Sequence, residues 1–179
     1  MLEQFLNANV NTRADAYGGS PENRNRLVLE VARAVAAAIG KEKVGIRLSP
    51  HGAFNATGSF DGVDAQYVSL ARELGSVGIA YVHLVDHSSM GAPPVPEELK
   101  AGVRAAFGGA LILSGGYDRD RAEADLAAGK GDLVAFARPF LANPDLVERL
   151  RRGAPLNAVD PATFYTPGAK GYTDYPTLA

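Results

Sequence analysis

The feature that most constrains the fold of this 179-residue chain is its alternation of strand-like and helix-like segments. Four short apolar runs of strand character begin near residues 44, 79, 110 and 133, and a helical pattern follows each of them. Because a helix separates successive strands, the chain can return to the sheet in the same direction, so the strands are expected to be parallel. The sequence therefore predicts an α/β fold made of successive βα units.

The helical segments have recognisable ends. Helices are predicted at residues 20–39, 63–75, 96–107 and 118–128, and a last helix opens at Asn143-Pro144. Ser20 is a suitable N-cap, and Gly40, Gly75 and Gly129 are suitable stops. From residue 151 an irregular tail is expected. On the first helix, one apolar face is expected to meet the core: Leu27, Val28, Val31, Val35, Ala38 and Ile39.

Two architectures fit this order of elements. One is a four-stranded open sheet, and the other is part of a (β/α)8 barrel. A whole barrel takes about 250 residues, so length by itself favours the open sheet. The polar and glycine residues at the strand ends favour the barrel, because both parallel architectures place their sites there and the barrel adds a recurring phosphate site.

Composition excludes several classes of protein. The 18 Lys and Arg against 20 Asp and Glu leave a net charge of −2, without the basic excess of a nucleic-acid binder. The absence of Cys excludes a disulfide scaffold, a thiolate zinc site and a thiol nucleophile. No apolar run has the length of a membrane span, and residues 1–5 lack a secretory signal pattern. A soluble, cytoplasmic protein without membrane or nucleic-acid partners is the expectation.

The end of the first strand carries a charge inside apolar sequence. Arg47 lies within Val44-Gly-Ile-Arg-Leu48, where a buried guanidinium is costly unless it meets an anion. Two interpretations stay open: an ion pair with a carboxylate of a neighbouring strand, or contact with the anionic edge of a cofactor.

The third and fourth strands end in sequences that could hold a phosphate. Gly115 and Gly116 precede a helix, where backbone N–H groups can approach an anion, although paired glycines also form plain tight turns. Ala137 and Arg138 follow the fourth strand, and Arg138 could reach the same phosphate if the two strands are neighbours. Two consecutive loops of this kind are a recurring phosphate site in barrels.

The three histidines carry different expectations. His83 lies within a strand and is expected to pack in the core or bond a neighbour, whereas His87 follows a strand and either stabilises its loop or takes part in catalysis. His51 is expected to face substrate or solvent. No metal-ligand spacing and no Gly-x-Ser-x-Gly pattern is present, so neither a metal site nor that class of hydrolase is predicted. The basic stretch 148–152 is expected to be a solvated helix end.

A set of long motifs carries a family resemblance, and these motifs occur in the family's order: Leu2-Glu-Gln-Phe-Leu-Asn7, Asn11-Thr-Arg-Ala-Asp-Ala-Tyr-Gly-Gly-Ser-Pro-Glu-Asn-Arg24, Gly45-Ile-Arg-Leu-Ser-Pro50, Gly115-Gly-Tyr-Asp118, Ala135-Phe-Ala-Arg-Pro-Phe-Leu-Ala-Asn-Pro-Asp145 and Gly171-Tyr-Thr-Asp-Tyr-Pro176. Over nearly its whole length the chain resembles the Old Yellow Enzyme family of FMN-dependent ene-reductases. The resemblance implies a (β/α)8 TIM barrel of which this chain covers strands five to eight, a half barrel.

The resemblance also implies roles for individual residues. Arg47 would face the N1/O2 edge of the flavin, where negative charge develops on reduction. Phe54 and Tyr165 would shape the substrate pocket. The FMN phosphate would be held at Gly115, Gly116, Ala137 and Arg138. Residues 1–150 would form the flavin-binding half barrel, and residues 151–179 a tail packed near the active site.

Two departures from the family pattern follow. Ala137 stands where the family usually has Gly, and a site that needs positive φ would be strained by Ala; we expect the replacement to be tolerated. The family's substrate-anchoring His-x-x-Asn or His-x-x-His pair and its proton-donating Tyr precede the Leu2 motif, so no catalytic residue is assigned in this chain. Activity is expected to need an N-terminal half barrel as a separate polypeptide.

The resemblance predicts reduction of enones and related alkenes, with NADPH rather than NADH as the expected reductant. A non-catalytic half barrel that pairs with itself or with a complementary fragment is the alternative, because an open half barrel exposes two sheet edges and apolar faces. A phosphate-binding isomerase or lyase would explain Gly115, Gly116 and Arg138 but not Arg47. Bound flavin would distinguish the first hypothesis from the other two.

Overall fold

The structure is a computed structural model and describes residues 1–178 in two compact units, Met1–Val134 and the residues from Ala135 onward. The helices of these residues are α1 (Leu2–Leu6), α2 (Pro21–Ile39), α3 (Val63–Val77), α4 (Glu97–Phe107), α5 (Arg119–Ala127), α6 (Arg138–Ala142) and α7 (Leu146–Arg152). The strands are β1 (Gly45–Leu48), β2 (Tyr81–Val85), β3 (Ala110–Ser114) and β4 (Leu133–Ala135).

The strands form one four-stranded sheet in the order β1-β2-β3-β4. β1 pairs with β2, and β2 pairs with β3, both in parallel. This confirms the α/β class and the parallel pairing for the first three strands. In the first unit the helices also follow chain order, because α2 packs against α3 and α3 packs against α4.

Most helix ends lie where the sequence predicts them. The Ser20 side chain caps α2 by accepting a hydrogen bond from the backbone N–H of Asn23, and Gly40 ends the helix. The predicted stop at Gly75 is wrong, since α3 continues to Val77 and ends at Gly78. A β-carbon at Gly75 would lie 2.4 Å from the backbone oxygen of Phe107. The glycine therefore permits close contact with the end of α4 rather than ending its own helix.

Two short helices were not predicted, and the last helix begins later than expected. α1 and α6 have five residues each, too few for a periodic pattern to show. α7 begins at Leu146 instead of Asn143. The Asn143 side chain instead bonds the end of α6, donating to the backbone oxygen of Pro139 and accepting from the N–H of Asn157, each at 2.8 Å.

The apolar face predicted for α2 is only partly buried. Of the predicted residues, Val28 is buried and Leu27 is half-buried, whereas the buried residues Leu29 and Ala32 lie outside the predicted set. The prediction is wrong for the other side of that face, which is exposed: Val31, Val35, Ala38 and Ile39. The sequence pattern identified an apolar surface, but a pattern cannot tell whether its own chain covers that surface.

The two compact units do not coincide with the predicted segments 1–150 and 151–179. Those segments were drawn by function, as a flavin-binding part and a tail near the active site, and their assignment stays a prediction. Among residues 1–178, no helix combines the length and the apolar character needed to cross a bilayer.

Candidate functional site

Arg47 lies on the face of the sheet opposite the helices. Along β1 its neighbour Leu48 is buried, whereas Arg47 is exposed, as the alternation of a strand requires. Within residues 1–178 the guanidinium has no carboxylate within 4.0 Å and donates no hydrogen bond. The ion pair with a neighbouring strand is therefore not formed in the described part of the chain, and the guanidinium keeps its charge available for an anion.

His83 is the direct neighbour of Arg47 across the β1–β2 pairing. Its Nε2 lies 3.0 Å from the hydroxyl of Ser114 on β3, which confirms the expectation that it bonds a neighbour. Burial lowers the pKa of His83 below its ordinary value of 6.5, and the charge of Arg47 lowers it further. A neutral imidazole is thus kept beside the arginine, so the charge on this part of the sheet belongs to Arg47.

Gly115 and Gly116 follow β3 in backbone conformations that favour glycine, with φ of 116° and 62°. A β-carbon at Gly115 would lie 2.2 Å from the backbone oxygen of Asp86, so this position admits no side chain. Within residues 1–178 the backbone N–H groups of both glycines lack a hydrogen-bond acceptor. The turn therefore presents two free donors in a closely packed cradle, which is what a phosphate site needs.

Phe54 lines a cavity of about 250 Å³ in the first unit. Its ring packs edge-on against His87 with centroids 5.0 Å apart. His87 lies at the start of a short 3-10 turn, Ser88–Met90, and its buried Nδ1 has no hydrogen-bond partner. The lining also includes Met1, Glu3, Gln4, Ser49, Gly52, Asn55 and Thr57. The cavity is mixed in character, with an aromatic wall and several polar groups.

Glu3 is a half-buried group of this cavity that sequence reasoning missed. Its carboxylate accepts hydrogen bonds from the backbone N–H of Ser49, at 2.7 Å, and from the hydroxyl of Tyr67. Burial raises the pKa of Glu3 above its ordinary value, although both hydrogen bonds act in the other direction. The carboxylate joins α1 and α3 to the start of the loop after β1. A single Glu in a five-residue helix gives no sequence signal for this.

His51 is not exposed to solvent, so that expectation is wrong, and the alternative that it faces substrate stays a prediction. Its side chain is 12% exposed and lies between two partners: Nδ1 is 2.8 Å from the Ser59 hydroxyl and Nε2 is 2.8 Å from a carboxylate oxygen of Asp64. The backbone of His51 has a positive φ of 60°, which is uncommon for a residue with a side chain. Its two hydrogen bonds fix the loop that carries Phe54.

The second unit contains the other predicted site residues. Ala137 precedes α6 with φ of −105°, an ordinary conformation for alanine, so the replacement of the family's Gly causes no backbone strain. The Arg138 guanidinium lies 6.0 Å from the ring centroid of Phe164, which packs edge-on against Tyr165. Tyr165 is 95% exposed. These three residues form an open aromatic and cationic surface within this unit.

The structure brings together the predicted residues of the first unit. β1 and β3 lie on either side of β2 and are parallel to it, so the carboxyl-terminal ends of all three strands are at the same end of the sheet. Arg47 near the end of β1 and Gly115 after β3 both lie at this end, and Phe54 lies on the loop after β1. The assignment of each residue to flavin or substrate stays a prediction. Residues 1–178 contain no group of three or more His, Asp or Glu side chains arranged to hold a metal ion.

Comparison with known proteins gives consistent matches. The sequence profile described as NADH:flavin oxidoreductase / NADH oxidase family matches residues 1–157. A putative 12-oxophytodienoate reductase of Oryza sativa subsp. japonica is 46% identical over 99% of this chain and 46% of its own length. 12-oxophytodienoate reductase 2 of Arabidopsis thaliana is 40% identical over 99% of this chain and 48% of its own length.

Solved structures give the same result. A variant of morphinone reductase in complex with tetrahydroNAD superposes with a TM-score of 0.93 at 46% identity, over 100% of this chain and 48% of that protein. An Old Yellow Enzyme homologue from Zymomonas mobilis has a TM-score of 0.91 at 36% identity, over 99% of this chain and 50% of its own. The chain thus spans about half the length of the proteins it matches.

Proposed function

The chain belongs to the NADH:flavin oxidoreductase / NADH oxidase family, the Old Yellow Enzyme family of the resemblance above, and from that premise we propose that it is the FMN-binding half of an ene-reductase barrel. In this proposal β1 to β4 are strands five to eight of the barrel. The complete enzyme reduces the activated C=C bond of enones and related alkenes with NAD(P)H. A cytoplasmic location remains the expectation from composition.

The observation that carries the proposal is Arg47. Exposed on the open face of a parallel sheet, it has no carboxylate partner within the described residues and has a neutral histidine beside it. An uncompensated cation in this position is suited to an anionic edge of a planar ligand, because a guanidinium is planar and always charged. In the family this ligand edge is the flavin N1/O2 region.

The phosphate end of FMN suits the glycine turn. Gly115 and Gly116 offer unpaired backbone N–H groups, and the packing against Asp86 keeps a side chain out of the cradle. Arg138 and Ala137 stay predicted phosphate-binding residues on the strength of the family resemblance alone. When bound, FMN supplies the hydride-transfer chemistry, and this chain's residues bind and orient it.

The substrate side of the proposal rests on the cavity beside Phe54. Its ring offers an apolar wall, and Asn55 and Thr57 offer hydrogen-bonding groups for a small enone. Tyr165 stays a predicted substrate-pocket residue on the strength of the family resemblance alone. Activation of the enone carbonyl and protonation at the α-carbon would come from the part of the barrel that these 179 residues do not match. NADPH is our expected reductant, and NADH is the comparison because a morphinone reductase structure holds tetrahydroNAD.

The test is an FMN titration followed at the flavin absorbance bands. The chain is titrated alone and after co-expression with the half of morphinone reductase that it does not match. We expect saturable binding and NAD(P)H-driven enone reduction in the complex. Arg47→Gln should weaken FMN binding about ten- to a hundredfold, since hydrogen bonds to charged groups contribute about 1.5–3 kcal/mol.

Two variants serve as matched controls. Arg47→Lys keeps the charge but not the planar fork and should lose less affinity than Arg47→Gln. Arg72→Gln removes an exposed arginine of α3 and should bind FMN like the unmodified chain. If neither the chain nor the complex binds FMN, the cofactor assignment is wrong, and the non-catalytic half barrel becomes the better hypothesis.

A further inference from the structure

Asp86 is a buried residue whose carboxylate the proposed function does not use. It directly follows β2. The carboxylate accepts hydrogen bonds from two backbone N–H groups, that of Ser88 at 2.9 Å and that of Val95 at 3.3 Å. These two residues lie near the two ends of the loop that joins β2 to α4. One carboxylate therefore ties this loop together at both of its ends.

The loop held by Asp86 forms the wall of the glycine turn, Gly115 and Gly116. A β-carbon at Gly115 would lie 2.2 Å from the backbone oxygen of Asp86 and 2.8 Å from its β-carbon. A β-carbon at Gly116 would lie 3.4 Å from the β-carbon of Ser89, in the short 3-10 turn of the same loop. The Asp86 N–H also donates to the backbone oxygen of Ser114 at 3.2 Å. The shape of the glycine turn therefore depends on the loop conformation that Asp86 fixes.

Lys100 on α4 compensates the charge of Asp86. Its Nζ lies 3.3 Å from a carboxylate oxygen of Asp86, and both side chains are buried. Without this cation the buried carboxylate would be costly, and it would also repel an anion at the neighbouring turn. Burial raises the pKa of Asp86, but the hydrogen bonds from Ser88 and the charge of Lys100 outweigh this effect, so the pKa lies below its ordinary 3.8. The pair is therefore ionised at neutral pH and carries no net charge.

Lys100 also begins a network of ion pairs that returns to the glycine turn. Glu97 lies between two lysines, 2.9 Å from Lys100 and 3.1 Å from Lys130. Lys130 lies 2.8 Å from one carboxylate oxygen of Asp125, and the other oxygen accepts a hydrogen bond from the hydroxyl of Tyr117 at 2.9 Å. Tyr117 directly follows the glycine turn. The network thus links the wall of the turn to the residue that comes after it.

The glycine turn needs this support to act as an anion site. Two backbone N–H groups bind an anion best when their arrangement is fixed before the ligand arrives. Glycines have wide backbone freedom, so the arrangement must be fixed by the residues around them. We infer that Asp86 is a positioning residue: its carboxylate, neutralised by Lys100, holds the loop that keeps the glycine turn in a conformation suited to a phosphate monoester. The inference rests on the proposed function for the identity of this ligand as FMN.

The test compares FMN with riboflavin, which has the same ring system but no phosphate. Both are titrated into the complex of this chain with the unmatched half of morphinone reductase. Asp86→Asn keeps the size of the side chain but loses its charge and one acceptor. The FMN dissociation constant should rise about two- to thirtyfold, the effect of a residue that modulates binding without touching the ligand. The riboflavin dissociation constant should stay unchanged, which a general loosening of the structure would not allow.

The variant is expected to fold, because Lys100 keeps Glu97 as a partner when the charge of Asp86 is removed. Circular dichroism and the melting temperature check this. The double variant Asp86→Asn, Lys100→Met removes both charges of the pair at similar side-chain size, so no buried charge is left unpaired. It should also weaken the binding of FMN and not of riboflavin, since the loop loses the same acceptor. Asp61→Asn, at an exposed aspartate after β1, is the matched control and should bind both flavins like the unmodified chain.

Inorganic phosphate probes the turn without flavin. The amide signals of Gly115 and Gly116 are followed by NMR while phosphate is added to the chain alone. We expect both signals to shift saturably, and Asp86→Asn to raise the apparent dissociation constant by about the same factor as for FMN. Unchanged binding of FMN and phosphate by Asp86→Asn would overturn the inference, as would equal losses for FMN and riboflavin. Signals that do not respond to phosphate in the unmodified chain would also overturn it.

The two probes separate this inference from the proposed function. A phosphate response that Asp86→Asn weakens, in a complex that takes up no FMN, would leave the role of Asp86 standing and remove the FMN assignment. A complex that binds FMN equally well with and without the Asp86 carboxylate would do the reverse.

Discussion

The two units of the chain are stabilised in different ways. The first unit has a continuous apolar core in which Leu70, Leu74, Val82 and Leu111 are fully buried. From Ala135 to residue 178, the buried apolar side chains are Ala142 and Leu146. The buried polar side chains of the second unit are Asn143, Arg149 and Thr163. The first unit is therefore specified mainly by apolar burial and the second mainly by hydrogen bonds.

Arg149 organises the second unit. Its guanidinium donates to a carboxylate oxygen of Asp145 and to the backbone oxygens of Pro155 and Pro176, at 2.7 to 2.9 Å. A guanidinium has five donors in a fixed plane, so one side chain can satisfy three acceptors. The prediction of a solvated basic helix end is wrong for Arg149, which is 4% exposed, although Arg151 and Arg152 are exposed and pair with Glu148.

The largest expected effect is in the apolar core. Leu70→Ala should lower the free energy of unfolding of the first unit by about 2–5 kcal/mol, because it removes a fully buried side chain and leaves a cavity. Urea unfolding followed by circular dichroism measures the change. Leu156→Ala in the second unit, 45% exposed, is the control and should change stability by less than about 0.5 kcal/mol. Equal effects would contradict the contrast between the units.

A smaller and more local effect is expected at Arg149. Arg149→Met should lower the free energy of unfolding of the second unit by about 1–3 kcal/mol, because the three acceptors lose their donors. Hydrogen exchange resolved by peptide should show faster exchange near residues 153–178, with the β1 to β3 peptides unchanged. Arg151→Met, at an exposed arginine of the same helix, should leave exchange unaltered. Faster exchange throughout the first unit would contradict a role confined to the second.

The smallest expected effect is a difference in pH dependence. Burial, assisted by the charge of Arg47, lowers the pKa of both His83 and His87 below 6.5. Below pH 6.5 the unfolded chain therefore binds more protons than the folded chain, and the first unit loses stability as pH falls. In the second unit, the backbone N–H of Leu178 and then Arg149 lower the pKa of Asp145 below 3.8. The stability that the ionised Asp145 contributes to the second unit is therefore lost only at more acidic pH.

NMR spectra of the amide groups, recorded from about pH 7.5 downwards, show which of the two units loses stability first as pH falls. Signals of β2 and β3 should broaden or shift before that of Leu178. The double variant His83→Asn, His87→Asn isolates the histidines, because Glu3 in the same unit has a raised pKa and acts in the opposite direction. If the double variant keeps the full pH dependence of the unmodified chain, the histidines are not its cause.

Regular elements with long patterns were predictable from the sequence. α2 and α4 and the strands β1 to β3 lie close to their predicted bounds, because apolar periodicity and capping residues act locally. The five-residue helices were not predictable, and Gly75 was misread as a stop. Its role is a close approach to Phe107, which is distant in sequence.

In the candidate site, too, residues with a local sequence pattern were predictable and residues whose role depends on distant partners were not. Arg47, Gly115 and Gly116 could be predicted because a charge in an apolar strand and paired glycines before a helix are visible in sequence; their assignment to the cofactor stays a prediction. Glu3 was not found, because its role depends on Ser49 and Tyr67, which lie 46 and 64 residues away. The hydrogen-bond partners of His51 were not predicted for the same reason, because the fold of the loop brings Asp64 and Ser59 to it.

The sequence by itself determined the βα order, the parallel pairing of the first three strands and the family, since each depends on local pattern or on motifs read in order. Only the tertiary structure decided which of these surfaces are covered. Within residues 1–178 it left Arg47 without a carboxylate partner, buried Arg149 among carbonyl groups and left one apolar face of α2 exposed. Burial and pairing are properties of residues far apart in the chain, so no local pattern contains them.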